Sequence, residues 1–229
     1  MEQANEAFTV MLIIANCIFS YRGFRSRLFF DKHIFWVRKV LRDRQIFRIL
    51  TSGFLHAGWG HLLFNMFALY SFSIGVGTVF GFGKYIIIYF VSLTAGNLLA
   101  LFIHRRDPEY RALGASGAVC GVIFSSILLF PDSSIYLLFL PIGIPSWLFG
   151  IGFVLISIYG IKSRFGNIGH EAHLGGAIAG VVVSILIDPR LASNNPALVV
   201  LLLLPILLFL IFVVKFPGLI GLDDRRKIE

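Results

Sequence analysis

Charged residues and cysteines are both scarce in this sequence. Asp, Glu, Lys and Arg make up 14% of the 229 residues, whereas hydrophobic residues make up 57%, and the mean hydropathy is +0.85. Soluble domains carry nearer a quarter charged residues, so the composition indicates a protein of the lipid bilayer. The two cysteines, Cys17 and Cys120, both lie in apolar segments, which excludes a disulfide framework and a cysteine-based zinc site.

The sequence predicts neither a cleavable leader nor an internal linker. Residues 1–6 contain no Lys or Arg, and the first apolar run has no small-residue cleavage site. We therefore expect that run to remain as a membrane helix. No Ser/Gly-rich linker, repeat or low-complexity segment divides the chain, so we predict a single domain over residues 1–229.

Seven apolar segments approach the roughly 20 residues that a membrane-spanning helix needs. They are 7–21, 61–79, 85–103, 113–130, 144–160, 170–187 and 197–214. The fifth could begin earlier, because residues 134–143 are also apolar. The last contains Pro205, which helices in lipid tolerate better than soluble ones. We predict an all-α, polytopic helical bundle with a core over residues 7–187 and an extra C-terminal span.

The long connection over residues 22–60 is rich in arginine and aromatic residues. A structureless segment of that length is unusual in a compact domain. Amphipathic pieces lying in the membrane interface would explain it. A loop held by interfacial aromatic residues is the alternative, and the sequence leaves both open.

Basic residues are distributed unevenly between the two ends of the predicted bundle. If the spans alternate in direction, 18 of the 20 Lys and Arg residues lie at the end that holds Ser116 and His173. Only Lys84 and Arg190 lie at the other end. The positive-inside rule would place the basic end in the cytoplasm. The net charge of +8 therefore indicates contact with anionic lipid headgroups rather than binding of nucleic acid.

Ser116 is a candidate nucleophile at the start of the fourth span, within the motif Gly-Ala-Ser-Gly over residues 114–117. At a helix N-terminus, free backbone N–H groups and the positive end of the dipole would face a developing oxyanion. The alternative is a serine that only forms hydrogen bonds across a helix interface, and an isolated motif of this kind favours that alternative.

His173 begins the sixth span and is a candidate base for Ser116. A histidine can take the serine proton and return it to the leaving amine. The alternative is a histidine that lies in the membrane interface.

Two pairs of glycines could bring these side chains together. Gly176 and Gly180 form a Gly-x-x-x-Gly face in the sixth span, and Gly117 and Gly121 form one in the fourth. Docking of one face on the other would bring the candidate base within hydrogen-bond reach of the candidate nucleophile.

His61 and Asn65 are four residues apart in the second span and share a helix face. Both side chains can donate hydrogen bonds, which suits stabilisation of a tetrahedral oxyanion. Hydrogen bonding between helices, or an interfacial location of His61, are the alternatives. His56 lies just upstream and could simply support the loop.

A metal site is a weaker hypothesis. Four histidines, His56, His61, His170 and His173, could gather at one end. However, the chain contains no His-Glu-x-x-His motif, and Glu171 would point away from at least one of its neighbouring histidines. We therefore expect neither a metal nor a cofactor.

Three motifs, one on each of three spans, resemble in sequence and in order those of the rhomboid family of intramembrane serine proteases. The likeness runs from about Phe47 to Ile187, and it includes the stretch over residues 45–56. Each motif is weak alone, but the ordered set is specific. The motifs are His61-x-x-x-Asn65, Gly114-x-Ser116-Gly117 and Ala172-His173-x-x-Gly176-x-x-x-Gly180.

The resemblance implies a six-helix rhomboid-like core, a seventh C-terminal helix and a catalytic Ser116–His173 dyad without a third, acidic member. Ser116 would form an acyl-enzyme, and His61, Asn65 and the Ser116 N–H would bind the oxyanion. Substrates would be single-pass membrane proteins, entering through a lateral opening beside residues 144–160.

The chain departs from the family in three respects. The Trp-Arg pair of the first loop reads Phe47-Arg48, and Cys120 stands where many relatives have an aromatic residue that packs on the catalytic histidine. Members commonly open their site to the extracytoplasmic side, whereas the charge distribution argues the reverse, so orientation stays open. We expect an integral multi-pass protein of the plasma membrane.

Two other functions compete with the protease. A catalytically inactive rhomboid-like protein would bind membrane clients, but such relatives usually lack the serine or the histidine. A small transporter or channel could use His61, Asn65 and His173 as a polar path. Transporters often show inverted repeats, and this sequence has none, so we rank it last.

Overall fold

A computed structural model describes residues 2–137, 140–163 and 169–216. Helices make up most of these residues, and two short antiparallel strand pairs complete the fold. In chain order the elements are α1 (Glu2–Arg25), α2 (Arg27–His33), β1 (Phe35–Trp36), α3 (Val37–Leu41), α4 (Arg48–Thr51), a 3-10 turn (Ser52–Phe54), α5 (Trp59–Phe80), α6 (Phe82–His104), β2 (Arg111–Ala112), α7 (Ser116–Leu129), β3 (Ser134–Leu137), β4 (Leu140–Pro145), α8 (Ser146–Ser163), α9 (His170–Ile187), α10 (Arg190–Asn194) and α11 (Pro196–Lys215).

Glycine, serine and proline set several of the helix ends. Gly81 separates α5 from α6 with a φ of +80°, a conformation that favours glycine. The Ser26 side chain accepts a hydrogen bond from the Phe29 N–H and so caps the start of α2. Pro196 occupies the first turn of α11, where its missing N–H removes no helical hydrogen bond.

The predicted helical bundle is confirmed. Among the described residues, six helices are long and apolar enough to cross a membrane, namely α1, α5, α6, α8, α9 and α11. The seventh apolar helix, α7, has only 14 residues. It packs against α5, α6 and α9 and is buried along most of its length, so it does not have to present a full-length apolar surface to lipid.

The fifth span does not begin early. Residues 134–137 and 140–145 form two antiparallel strands, β3 and β4, in which Ser134 pairs with Pro145 and Ile135 pairs with Ile144. α8 then starts at Ser146. The prolines at 141 and 145 explain the difference, because a proline has no N–H for a helix interior and restricts the residue before it to extended conformations.

The connection over residues 22–60 is built from short helices and a strand. β1 pairs with β2, which brings this connection to the end of the bundle where α6 ends and α7 begins. The Trp36 ring lies under the guanidinium of Arg111 at 3.8 Å, and its Nε1 donates to the Pro108 carbonyl. The basic residues Arg164 and 225–227, which the charge argument also assigned to this end, lie outside the described residues.

Arg48 anchors the connection from within. Its side chain is 4% exposed, and Nη1 donates to the carbonyls of Asp31 at 2.8 Å and Ile34 at 2.7 Å. Nε donates to the Gln45 side chain at 2.7 Å. The guanidinium also lies over the Phe47 ring at 5.6 Å. Phenylalanine in place of the family's tryptophan therefore leaves both the arginine anchor and its aromatic neighbour in place.

Glycines bring α7 and α9 into backbone contact. A Cβ added at Gly176 would overlap the Gly117 carbonyl, and one added at Gly180 would overlap the Gly121 carbonyl. α6 approaches α9 in the same way, since a Cβ at Gly96 would lie 2.6 Å from the Ala172 carbonyl oxygen. In lipid, close approach of this kind is a main source of helix association.

Gly180→Ala should therefore destabilise the protein, because the added methyl group pushes α9 away from α7. Overpacking of this kind costs about 1–3 kcal/mol. The matched control is Gly152→Ala in α8, where a Cβ meets no heavy atom within 4 Å. Thermal unfolding in detergent measures both. Equal melting temperatures for the two variants would contradict the backbone contact.

Candidate active site

One cavity collects the side chains that the sequence singled out. It has a volume of about 400 Å³ and is lined by Ser116, His173, His61 and Asn65. Aromatic residues from α5 and α8 supply much of the remaining wall, together with Ile135 and Tyr136 of β3. The structure thus places residues from α5, α7 and α9 around one space among the helices.

Ser116 is the first residue of α7, and the turn before it fixes its position. Gly114 has a φ of +121°, which favours glycine. The Gly114 N–H donates to the Ser52 carbonyl at 3.0 Å. Because Ser116 begins the helix, its own N–H has no partner within α7 and is free to donate to a bound group.

The His61 ring packs against the backbone just before Ser116. A Cβ at Gly114 would lie 2.9 Å from His61 Cε1 and 3.0 Å from Nε2, so only glycine leaves room for this ring. His61 Nδ1 accepts from the Ala57 N–H at 3.5 Å, which leaves Nε2 to carry the ring proton.

Asn65 lies one helical turn after His61 and is 3% exposed. Its Nδ2 donates to the His61 carbonyl of the same helix at 3.0 Å. A bond of this kind to the preceding turn is a local arrangement. The amide therefore borders the cavity while one of its hydrogens is held by its own helix.

His173 lies in the first turn of α9 and contacts aromatic residues of two elements. Its ring lies 5.6 Å from the Phe153 ring of α8 and 5.9 Å from the His170 ring. Phe153 thus provides the ring contact that Cys120 cannot, and no motif in the sequence indicated that α8 would supply it. Among the described residues, no hydrogen bond joins Ser116 and His173. Catalytic hydrogen bonds are often long until substrate binds.

His56 lies behind the site and is fully buried. Its Nε2 accepts from the Ala115 N–H at 3.5 Å, so Nδ1 carries the proton and donates to Ser20 Oγ at 2.9 Å. Ser20 in turn donates to the Phe54 carbonyl at 2.9 Å. Burial, and secondarily the neighbouring His61, lowers the pKa of His56 to about 3. A neutral imidazole therefore ties α1 to the turn that carries Ser116.

The four histidines considered for a metal form two separate pairs. The rings of His56 and His61 lie 4.9 Å apart, and those of His170 and His173 lie 5.9 Å apart. Within residues 2–137, 140–163 and 169–216, no group of three or more His, Cys, Asp or Glu residues is arranged to hold a metal ion.

The chain belongs to the rhomboid family. The model of the rhomboid domain matches residues 43–190. Rhomboid protein 1, mitochondrial, of Saccharomyces cerevisiae is 34% identical over 137 residues, which cover 58% of this chain and 40% of that protein. RHOMBOID-like protein 12, mitochondrial, of Arabidopsis thaliana is 29% identical over 188 residues, 75% of this chain and 55% of that protein.

A bacterial relative carries the word protease in its name. Rhomboid protease GluP of Bacillus subtilis is 32% identical over 145 residues, which cover 62% of this chain and 26% of that protein. The chain thus spans between about a quarter and just over half the length of these three relatives. Membership of the family implies a lipid bilayer as the environment of the domain.

The expected plasma-membrane location is wrong. Relatives from yeast, Arabidopsis and rat are named as mitochondrial proteins, and they indicate a mitochondrial membrane. The multi-pass membrane architecture is supported. Hydropathy identifies a bilayer protein but does not distinguish one bilayer from another, which is why composition could not correct this expectation.

His56 should make the folded state sensitive to acid. Because its pKa is about 3 when folded and about 6.5 when unfolded, the unfolded state binds the extra proton. The free energy of unfolding should fall by about 1.4 kcal/mol per pH unit below pH 6.5 from this residue alone. His56→Gln, which retains a donor and an acceptor, should flatten the dependence.

Thermal unfolding between pH 4.5 and 7.5 measures this difference. The matched control is His33→Gln, because the His33 ring is half-exposed. Parallel pH profiles for the wild type and His56→Gln would show that His56 is not the group that takes up the proton.

Proposed function

We propose that the chain is an intramembrane serine endopeptidase that cleaves transmembrane segments of single-pass membrane proteins. The observation that carries the proposal is the single cavity bordered by Ser116, His173, His61 and Asn65. The family to which the chain belongs includes proteases, and GluP is a relative with the word protease in its name.

The proposed reaction begins at Ser116. Its Oγ attacks the carbonyl carbon of the scissile peptide bond, while His173 takes the hydroxyl proton. The C–N bond then breaks, and His173 passes the proton to the leaving amine. An acyl-enzyme remains on Ser116, and a water molecule activated by His173 hydrolyses it to the acid and restores the free serine.

Three donors surround the position where the oxyanion would form. The Ser116 N–H is free at the start of α7, and His61 Nε2 carries a proton beside Gly114. Asn65 Nδ2 carries a second hydrogen besides the one donated to the His61 carbonyl, and this second hydrogen can be donated to the oxyanion. Donors fixed before the reaction stabilise the charge that develops in the transition state.

The surroundings of the cavity support a substrate of the bilayer. Its walls are largely apolar, with Phe149 and Phe153 of α8 on one side and Phe64 and Phe67 of α5 on another. A membrane helix has all its backbone groups paired internally, so a peptide bond becomes open to attack only where that helix unwinds. We place the lateral entrance beside α8.

The alternative is a catalytically inactive client-binding protein. The absence of a Ser116–His173 hydrogen bond among the described residues is the observation in its favour. A binding protein would hold a client segment in the same cavity without cleaving it. Cleavage and covalent labelling at Ser116 distinguish the two functions.

Ser116→Ala should abolish both cleavage of a single-pass membrane substrate and labelling by a fluorophosphonate probe, with the fold intact. His173→Ala should lower kcat by on the order of 10⁴-fold or more, because the serine loses its base. The control is Ser163→Ala, which removes an exposed hydroxyl that bonds only the Tyr159 carbonyl. Purified protein in liposomes serves for both assays. A folded wild type that neither cleaves nor labels would favour the client-binding protein.

Asn65→Ala should lower kcat by roughly 10²–10³, the usual effect of removing one oxyanion donor. KM should change little, because the negative charge develops only in the transition state. The control is Asn194→Ala in α10, where the side chain is exposed. A variant with raised KM and unchanged kcat would assign Asn65 to substrate binding instead.

A further inference from the structure

A buried carboxylate lies beside the candidate base and takes no part in the reaction proposed above. Glu171 is in the first turn of α9, two residues before His173, and is 6% exposed. A charged group buried among membrane helices is costly unless it is paired, and it is rarely kept without a use.

Two side chains from other elements pair with this carboxylate. His104, the last residue of α6, lies with Nε2 at 2.7 Å from Glu171 Oε1. The Tyr110 hydroxyl donates to Oε2 at 3.3 Å. The His104 and Tyr110 rings stack on each other at 3.6 Å with an angle of 7°. These three residues form what we name the Glu171 cluster.

The cluster connects the two chain segments that carry the candidate dyad. Tyr110 belongs to the loop that runs into Gly114 and Ser116, and its backbone carbonyl accepts from the Val37 N–H at 3.1 Å. Glu171 belongs to the turn that carries His173. The Glu171 carboxylate thus joins two segments at the C-terminal end of α6. One is the loop that leads to Ser116, and the other is the first turn of α9, which carries His173.

The cluster is tightly defined by its hydrogen bonds. His104 Nε2 donates to the carboxylate, and among the described residues its buried Nδ1 has no partner. The carboxylate also lies at the N-terminus of α9, where the helix dipole favours negative charge. Removing Glu171 would leave two donors, on the buried His104 and the half-buried Tyr110, without this acceptor.

We propose that Glu171 is a positioning residue, which through His104 and Tyr110 sets the placement of His173 relative to Ser116. The inference rests on the proposed function. Glu171 touches neither the cavity nor the reacting atoms, and it acts through the backbone of the first turn of α9 and the loop over residues 105–115.

Comparison of Glu171→Gln with Glu171→Ala tests this role. Glutamine keeps the shape, accepts from His104 Nε2 and donates to the Tyr110 oxygen, so kcat should stay within about threefold of the wild type. Alanine removes both bonds, so kcat and fluorophosphonate labelling should each fall by about 10- to 100-fold with KM unchanged. The control is Glu109→Ala on the same loop as Tyr110. This change breaks only an exposed ion pair with Arg38 of α3.

Several results would overturn the positioning role. If Glu171→Gln is as slow as Glu171→Ala, the carboxylate acts by its charge and not by its hydrogen bonds. If Glu171→Ala only melts at a lower temperature, while activity per folded molecule equals that of the wild type, the cluster is merely structural. If Glu171→Ala does not fold, Tyr110→Phe is the second variant, because it removes one hydroxyl only. It should lower kcat by about threefold or more. An unchanged kcat in Tyr110→Phe would overturn the positioning role.

Amide hydrogen exchange gives a readout that does not depend on activity. The His173 N–H donates to the Gly169 carbonyl at 3.2 Å, so its exchange rate reports how firmly the first turn of α9 is held. The rate should rise about tenfold in Glu171→Ala and stay unchanged in Glu171→Gln. A wild type without protease activity would contradict the proposed function, whereas equal exchange rates in all variants would contradict the positioning role.

Discussion

Backbone contact of α9 with its neighbours α6 and α7 holds the centre of the helical bundle together. Helices in lipid gain little from hydrophobic burial against each other, so close packing and hydrogen bonds must hold them together. Gly176 and Gly180 bring α9 onto α7, and Gly96 brings α6 onto the first turn of α9. Because these contacts involve carbonyl groups rather than flexible side chains, they fix the relative height of the helices.

That height places the N-terminal ends of α7 and α9 at the same end of the bundle. The first N–H groups of each helix have no partner within that helix, and both ends are polar where the surrounding helices are apolar. The cavity between them therefore combines apolar walls from α5 and α8 with a few hydrogen-bond donors and acceptors. Sites of this composition suit a reaction in which charge develops on one oxygen and must be stabilised by fixed donors.

The helical spans could be predicted from the sequence because they depend on local patterns, and the residues of the three motifs border one cavity. Apolar length identifies a membrane helix, and glycine spacing identifies a packing face. The sequence did not predict the pairing of β3 with β4, the contact of Phe153 with His173 or the partners of Glu171. Each of these depends on contacts between segments distant in sequence, and the hydrophobic pattern of the chain does not predict such contacts. A glutamate in the first turn of an apolar helix was the one available signal for the Glu171 cluster.

Glycine contacts alone do not determine the distance between the side chains of Ser116 and His173. They fix backbones, whereas Ser116 and His173 each depend on the turn that carries them. His56 holds the turn of Ser116 from the side of α1, and Glu171 holds the turn of His173 from the side of α6. The two networks share no residue, so each can be perturbed without the other. A dyad without an acidic third member would then gain its geometry from two buried supports, neither of which touches the substrate.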